Sequence, residues 1–166
     1  WAVSVSAQFL IVGCGAIGGL FAAAWSSAAT VTTLDANTEH VDAINANGIR
    51  ILGNNARTAT IQATADPAAL KDSAFDAVIF LIKSRITAAV LAQLRPVLAG
   101  NPVLVTLQNG MGNAEALLSG SKARVIRGVT INAGRYVEPG CVECLVEGKS
   151  WLGPVRGSVE DVHPLA

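Results

Sequence analysis

The chain has 166 residues, of which 51% are hydrophobic and 14% are charged, and its twelve Lys and Arg residues balance twelve Asp and Glu residues. These values fit one globular α/β domain with a sizeable core and exclude a disordered chain. No stretch gathers the roughly five like charges of a nucleic-acid or anionic-membrane surface. The longest apolar runs, of about six residues, are too short to span a membrane.

The three cysteines of the chain are Cys14, Cys141 and Cys144, and no secretory signal is readable before them. An odd number of cysteines in such a chain predicts reduced thiols and a cytoplasmic location. Cys141 and Cys144 have C-x-x-C spacing, but residues three apart on a strand point to opposite faces, which suits neither a disulfide nor metal chelation. Because a zinc site would also need a second pair, we predict no metal site.

The first third of the chain predicts strands that alternate with helices. Residues 1–8 begin without Met and are interpreted as a remnant of cloning or processing, outside the fold. The elements expected after them are a strand over 9–12, a helix over 16–26, a strand over 29–34, a helix over 38–46 that Asn47-Gly48 ends, and a hairpin of strands over 49–52 and 58–63.

The middle of the chain continues this alternation, which predicts a Rossmann-type, doubly wound, mostly parallel sheet within one domain over residues 9–166. After Val129 strand character surrounds the turn Val137–Gly140 without a helix, so we expect an antiparallel extension of the sheet near the C-terminus. The elements expected before that point are a helical turn at Asp66-Pro67, a central strand over 76–82, a helix to about Leu94, a strand over 102–107, a helix over 112–118 and a strand over 124–129.

A glycine-rich motif, Gly13-Cys14-Gly15-Ala16-Ile17-Gly18, stands directly after the first strand and directly before the first helix. Gly13 permits the tight turn, Gly15 lets a pyrophosphate approach the backbone, and Gly18 lets the helix pack closely on the strand. The helix N-terminus offers free N–H groups and a partial positive charge to the pyrophosphate. In this setting the motif predicts a dinucleotide-binding loop, although glycines used only for close packing are the alternative.

Asp35 closes the second strand, where an acidic residue accepts hydrogen bonds from an adenosine ribose. A carboxylate there repels a 2′-phosphate, so Asp35 favours NAD over NADP. The alternative is that Asp35 only caps the next helix. Asn37, two residues further along, belongs to the same candidate region.

Several short segments occur in the order seen in ketopantoate reductases (2-dehydropantoate 2-reductases), and the resemblance covers roughly residues 9–157. Its most specific element is the combination of Lys83 with Gln108-Asn109-Gly110, which a generic dinucleotide-binding domain does not need. The segments that carry the resemblance are Gly13–Gly19, Asn47–Arg50, Leu81–Lys83, Gln108–Gly112 and Trp151–Pro154.

The resemblance implies an NAD(P)H-dependent reduction of a 2-keto acid to a 2-hydroxy acid, ketopantoate to pantoate in pantothenate biosynthesis. By the same resemblance Lys83 contacts the cofactor, Asn109 lies near the nicotinamide ribose and the substrate, and the backbone at Gly134 meets the cofactor. The resemblance favours NADP, yet no arginine follows the second strand until Arg50. Family members place the catalytic lysine in a helical C-terminal domain, so we expect these residues alone to bind a dinucleotide and turn over little.

Other interpretations remain open for the same residues. Lys83 can be a solvated surface charge, and Asn109-Gly110 can be a turn. The chain can also be a dinucleotide-sensing module, or a dehydrogenase of another 2-hydroxy acid, and it can form a homodimer through an exposed apolar face. His40 and His163 sit in no motif and are interpreted as surface or structural residues. The glutamates predicted to form a solvated face are Glu138, Glu143 and Glu147.

Overall fold

The computed structural model describes residues 6–162 and residue 165, and within them the chain alternates strands and helices. The helices are α1 (Ala16–Trp25), α2 (Thr38–Asn47), α3 (Thr87–Gln93), α4 (Arg95–Leu98) and α5 (Asn113–Gly120). Short 3-10 turns cover Pro67–Leu70, Ser84–Ile86 and Val159–Asp161. The strands are β1 (Ala7–Val12), β2 (Ala29–Leu34), β3 (Ile49–Gly53), β4 (Arg57–Ala59), β5 (Gln62–Thr64), β6 (Ala77–Phe80), β7 (Val103–Thr106), β8 (Val125–Thr130), β9 (Ala133–Glu138), β10 (Cys141–Val146) and β11 (Ser150–Arg156).

The main sheet has seven strands in the order β11-β8-β7-β6-β1-β2-β5. The six strands from β8 to β5 run parallel, and β11 pairs antiparallel with β8. The strand order reverses direction beside β1, as in doubly wound sheets. The predicted fold class, a mostly parallel sheet with an antiparallel strand near the C-terminus, is confirmed.

A second sheet of four strands, in the order β4-β3-β10-β9, lies apart from the main sheet. The turn at Val137–Gly140 joins β9 to β10 in this sheet, so the prediction that it extends the main sheet is wrong; only β11 does so. The predicted strand over 58–63 is also divided. Its first half is β4, which pairs with β3 as the expected hairpin, and its second half starts β5, which pairs with β2 in the main sheet.

Helix α1 is enclosed between the two sheets. A Cβ atom on Gly19 would lie 2.7 Å from Cδ1 of Ile49 and 3.2 Å from Cγ1 of Val142, so the helix has no room for a larger residue on the side of the second sheet. Its opposite side covers the main sheet, where Phe9 and Ile11 of β1 are buried. The beginning of α1 is therefore held from both sides.

The other face of the main sheet packs against α3 and α5 through buried residues such as Leu10, Phe80, Leu91 and Leu117. All four residues of β6 are buried, which agrees with its central place in the sheet. No helix among the described residues is long and apolar enough to cross a membrane.

The first strand begins at Ala7, two residues before the predicted start. The backbone N–H of Gln8 donates to the Asp76 carboxylate at 2.7 Å, so this end of β1 is tied to the loop before β6. The rest of the predicted N-terminal remnant, residues 1–5, and His163 lie outside the described residues.

Candidate functional site

The glycine loop, residues 13–18, joins the buried end of β1 to α1. Gly13 has a φ of +95°, and a Cβ atom there would lie 2.8 Å from Cγ2 of Ile82. A Cβ atom on Gly18 would lie 1.9 Å from the carbonyl oxygen of Gly13. Both positions therefore require glycine for the backbone turn and for the close approach of helix to strand, as the motif predicted.

Gly15 differs from these two glycines because no described atom outside residues 14–16 lies within 4 Å of a Cβ built on it. The space in front of it is open, and a side chain would project into that space. No side chain caps α1, and its first turn carries no acidic residue. An uncapped helix N-terminus beside open space fits an anionic group such as a pyrophosphate. Packing alone explains Gly13 and Gly18, but it does not explain Gly15.

The Cys14 side chain points into the core and not toward this space. It is fully buried, and burial raises the pKa of its thiol to about 12. The residue therefore contributes to the loop through its backbone. Its N–H donates to Oδ2 of Asp35 at 2.8 Å, and its carbonyl oxygen lies 2.8 Å from Nε2 of His40.

Asp35 is half-buried, and its carboxylate is fixed by two backbone groups. Oδ2 accepts from Cys14, and Oδ1 accepts from the N–H of Asn37 at 2.9 Å. A carboxylate has about four acceptor positions, so each oxygen can still accept a ligand hydroxyl. The cap of α2 is Asn37, whose Oδ1 accepts from the N–H of His40 at 3.2 Å. Capping therefore does not account for Asp35.

Asp35 is one of three carboxylates near Tyr136, and another of them, Glu138, is paired with Arg50. The pKa of the nearby Tyr136 hydroxyl is raised, first by burial and then by the negative charges of Asp35, Glu39 and Glu138, which we call the acidic rim. The Tyr136 hydroxyl lies 3.5 Å from Nδ2 of Asn37, which donates to it. A ligand group placed here meets negative charge and hydrogen-bond acceptors.

A second set of polar residues lies at the carboxyl ends of β6, β7 and β8. Lys83 and Asn109, both predicted, line one open cleft there, and Ile17 of α1 lines it as well. The cleft therefore adjoins the glycine loop, and we call it the carboxyl-edge cleft. Such an edge is where open α/β sheets bind ligands.

The side chains of Lys83 and Asn109 are exposed, and neither has a hydrogen bond or ion pair to another described residue. Their backbones, by contrast, are fixed. The Ser84 hydroxyl donates to the carbonyl oxygen of Asn109 at 3.2 Å, and Nε2 of Gln108 donates to the carbonyl oxygen of Ile82 at 2.7 Å. The side chains of Lys83 and Asn109 thus extend into the cleft from a backbone that hydrogen bonds hold in place.

Thr130 and Asn132 complete the carboxyl-edge cleft, and sequence reasoning missed them. Nδ2 of Asn132 donates to Oγ1 of Thr130 at 2.8 Å and to the carbonyl oxygen of Gly148 at 3.1 Å. Their signal in the sequence is the position of each polar residue at or just after the end of a parallel strand. It was overlooked because residues 130–132 were assigned to the predicted antiparallel extension.

Gly134 does not line this cleft. It lies on β9, where a Cβ atom would be 3.0 Å from Cδ1 of Leu20 and 3.1 Å from the carbonyl oxygen of Glu143. Close packing of β9 on α1 accounts for this glycine, and its contact with a cofactor stays a prediction.

His40 was interpreted as a surface or structural residue, and it is fully buried. It has no local signal in the sequence, because its partners lie 26 and 100 residues away.

All three cysteines are free and buried, and no cluster of three His, Cys, Asp or Glu residues that could bind a metal occurs among the described residues. Of the glutamates predicted to form a solvated face, Glu138 pairs with Arg50 and Glu143 pairs with Arg135.

Residues 9–157 match the protein family described as ketopantoate reductase PanE/ApbA. The 2-dehydropantoate 2-reductase of Pyrococcus abyssi (strain GE5 / Orsay) is 31% identical over 147 residues, which make up 88% of this chain and 47% of the relative. The chain thus spans about half the length of the curated relatives it matches.

Among solved structures, 2-dehydropantoate 2-reductase from Geobacter metallireducens GS-15 superposes with a TM-score of 0.84 at 28% identity, covering 96% of this chain and 53% of the other. D-mandelate dehydrogenase with NADH and anilino(oxo)acetate superposes with a TM-score of 0.83 at 20% identity, covering 94% of this chain and 51% of the other. The second likeness is one of fold.

Proposed function

The chain belongs to the ketopantoate reductase PanE/ApbA family, and from this premise we propose that it carries the cofactor site of a nicotinamide-dinucleotide-dependent 2-keto acid reductase. One observation carries the proposal: the glycine loop, with open space at Gly15, adjoins a cleft that presents Lys83 and Asn109. A module that only senses a dinucleotide has no need of free polar groups at that second position.

The N-terminus of α1, above Gly15, would hold the pyrophosphate of the dinucleotide, because free N–H groups and the helix dipole attract an anion. The Asp35 carboxylate, which keeps acceptor positions, would accept hydrogen bonds from the adenosine ribose hydroxyls. The carboxyl-edge cleft would hold the nicotinamide half. When bound, the dinucleotide supplies the hydride, and the residues of this chain bind and orient it.

The substrate is a small 2-keto acid, and the relatives' name makes 2-dehydropantoate the first candidate. Lys83 is a cation that can attract a carboxylate or a developing oxyanion, and the Asn109 amide can donate or accept beside it. A group that protonates the product is still required. Lys83 is the only lysine or arginine lining the carboxyl-edge cleft in the described part of the chain. If Lys83 holds the substrate carboxylate, no second cationic side chain lines this cleft to protonate the product. We therefore expect the 166 residues alone to bind the dinucleotide and to turn over little.

The acidic rim favours NADH over NADPH as the reductant. A 2′-phosphate placed on the ribose would stand beside the Asp35 carboxylate and add two further negative charges to the rim. Arg50 is already paired with Glu138 of the rim. These observations oppose the NADP assignment that the family resemblance suggested.

Parallel calorimetric titrations of the chain with NADH and NADPH, at one salt concentration, test the proposal. We expect NADH to bind at least about tenfold more tightly, which corresponds to about 1.4 kcal/mol. Tighter binding of NADPH would contradict the NADH preference and leave the cofactor site standing. Binding of neither dinucleotide would contradict the cofactor site itself. The variant Gly15→Ala serves as the control, because a methyl group in the open space should weaken binding of both dinucleotides.

A further inference from the structure

We propose that His40 is a positioning residue for the dinucleotide site, because it fixes the orientation of the peptide group whose N–H faces the bound pyrophosphate. The ligand in this inference is the one that the proposed function assigns. The contact itself is a property of the free chain. It joins α2 to the glycine loop on one side and to the turn before β10 on the other.

The protonation of the buried ring follows from its partners. The backbone N–H of Gly140 lies 2.9 Å from Nδ1 of His40, and an N–H can only donate, so Nδ1 must accept. The proton of the neutral ring is then on Nε2, which donates to the carbonyl oxygen of Cys14 at 2.8 Å. Both ring nitrogens are thus used, and the ring holds the glycine loop and the second sheet together.

The contact with Cys14 matters because the peptide group is planar. The carbonyl of Cys14 and the N–H of Gly15 belong to one peptide unit and point in opposite directions. When His40 holds the carbonyl toward the interior, the N–H of Gly15 must point outward, into the open space that fits a pyrophosphate. The Asp35 carboxylate holds the preceding peptide unit through the N–H of Cys14. The two contacts together fix the loop before any ligand arrives.

Without the His40 contact this peptide unit has little to hold it. Glycine stands on both sides of Cys14, and glycine adopts positive and negative φ values with similar ease. Rotation of the Cys14–Gly15 peptide unit would turn the carbonyl oxygen toward the pyrophosphate and replace a donor by an acceptor. The carbonyl oxygen would then repel the pyrophosphate of a dinucleotide. The affinity for the dinucleotide therefore depends on the fraction of molecules in which the loop keeps its binding conformation.

Two substitutions separate this role from a purely structural one. In His40→Gln the side-chain amide nitrogen takes the place of Nε2 and can still donate to Cys14, whereas the partner of Gly140 is lost. In His40→Asn the side-chain oxygen takes the place of Nδ1 and can still accept from Gly140, whereas the partner of Cys14 is lost. Each variant removes one buried hydrogen bond and the ring contact with Tyr136. Their stabilities should therefore fall by similar amounts.

Titration with NADH then gives the decisive comparison. We expect His40→Gln to bind NADH within about threefold of the parent chain and His40→Asn to bind at least tenfold more weakly. Equal losses of affinity in the two variants, or a larger loss in His40→Gln, would overturn the inference.

A second readout needs no dinucleotide. Cys14 and Cys141 are buried free thiols, one at each end of the His40 contact, and their alkylation rates report local opening. In the free chain His40→Asn should speed the alkylation of Cys14 relative to Cys141, and His40→Gln should do the reverse, as mass spectrometry of the labelled peptides can measure. The same change in both variants would overturn the inference. If the parent chain binds no dinucleotide, the proposed function fails, while this labelling still decides whether His40 holds the Cys14 peptide group.

Discussion

The two ends of the candidate site are built in opposite ways. At the glycine loop the polar groups have protein partners: the N–H and carbonyl of Cys14 are bonded to Asp35 and His40, and both oxygens of Asp35 accept backbone hydrogens. At the carboxyl-edge cleft the side chains of Lys83 and Asn109 have no partner among the described residues, although the backbone beneath them is fixed.

The difference teaches which part of a ligand each end can recognise. A loop whose peptide groups are held in place loses little conformational entropy on binding, which suits a group that is always the same, such as a pyrophosphate. Exposed polar side chains without protein partners do not destabilise the folded state, because water hydrogen-bonds to them. They gain other partners only when a ligand binds. That suits the reacting end, where cofactor and substrate meet. Substitutions at the two ends should therefore separate stability from binding.

The largest effect is expected for Gly18→Ala. Its new methyl carbon would stand 1.9 Å from the carbonyl oxygen of Gly13, so the helix must move away from the strand. Overpacking of this kind costs about 3 kcal/mol, and NADH binding should be lost with it. Urea denaturation and calorimetry measure the two effects.

Gly15→Ala is the matched control for Gly18→Ala. Since its methyl group enters open space, the free energy of unfolding should change by no more than about 1 kcal/mol, whereas NADH affinity should fall at least tenfold. A stability loss at Gly15 as large as that at Gly18 would mean that the space in front of the loop is not free.

The next effect concerns charge at the ribose end. Asp35→Arg removes the carboxylate that holds the loop and offers a cation to a 2′-phosphate. We expect NADH affinity to fall by about 100-fold and the ratio of NADPH to NADH affinity to rise by at least tenfold. In the control Glu39→Gln, an exposed carboxylate of the same rim that does not bond to the loop is neutralised, and both affinities should change less than threefold. An unchanged ratio in Asp35→Arg would contradict the placement of the ribose.

Most of the main sheet and the glycine loop were predictable because their signals are local. The turn at Gly13 and the close packing of Gly18 against it depend on residues a few positions apart. Lys83 and Asn109 were indicated by the resemblance to ketopantoate reductases, and their positions agree with the rule that residues after parallel strands meet at one edge. That rule needs only the order of the elements, and the order was correct.

The second sheet and His40 were not predictable from such signals. Strand β3 pairs with β10 about ninety residues later in the chain, and nothing in Ile49–Gly53 indicates a partner at that distance. Because that pairing was missed, the turn at Gly140 was assigned to the wrong sheet. His40 could then not be placed between Cys14 and Gly140. The sequence alone therefore predicts the glycine loop, whereas the His40 contact that holds this loop becomes visible only in the folded structure.

At the carboxyl-edge cleft two adjacent residues should behave differently. Gln108→Ala removes hydrogen bonds to Ile82 and Thr87, the second at 2.8 Å, and should lower the free energy of unfolding by about 2 kcal/mol. Asn109→Ala removes a side chain without a described partner and should change stability by less than about 0.5 kcal/mol, while it weakens NADH binding severalfold. Thermal unfolding and calorimetry of both variants test this contrast, and a stability loss in Asn109→Ala would show that its side chain is already engaged.

The smallest effect is expected at the Cys14 thiol, which the loop seals from solvent. Burial raises the pKa of this thiol to about 12, so the folded state keeps its proton while the unfolded chain loses it near pH 9. A group whose pKa is raised in the folded state stabilises it fully below the unfolded value, and that stability is lost as the pH rises from about 9 toward 12. Between pH 10 and 11 the parent chain should lose about 1.4 kcal/mol more stability than Cys14→Ala, as urea denaturation at each pH measures. Because both chains keep Cys144 and Tyr136, whose pKa values are also raised, the difference isolates Cys14. Identical slopes would mean that solvent reaches the thiol and that the glycine loop does not seal it from water.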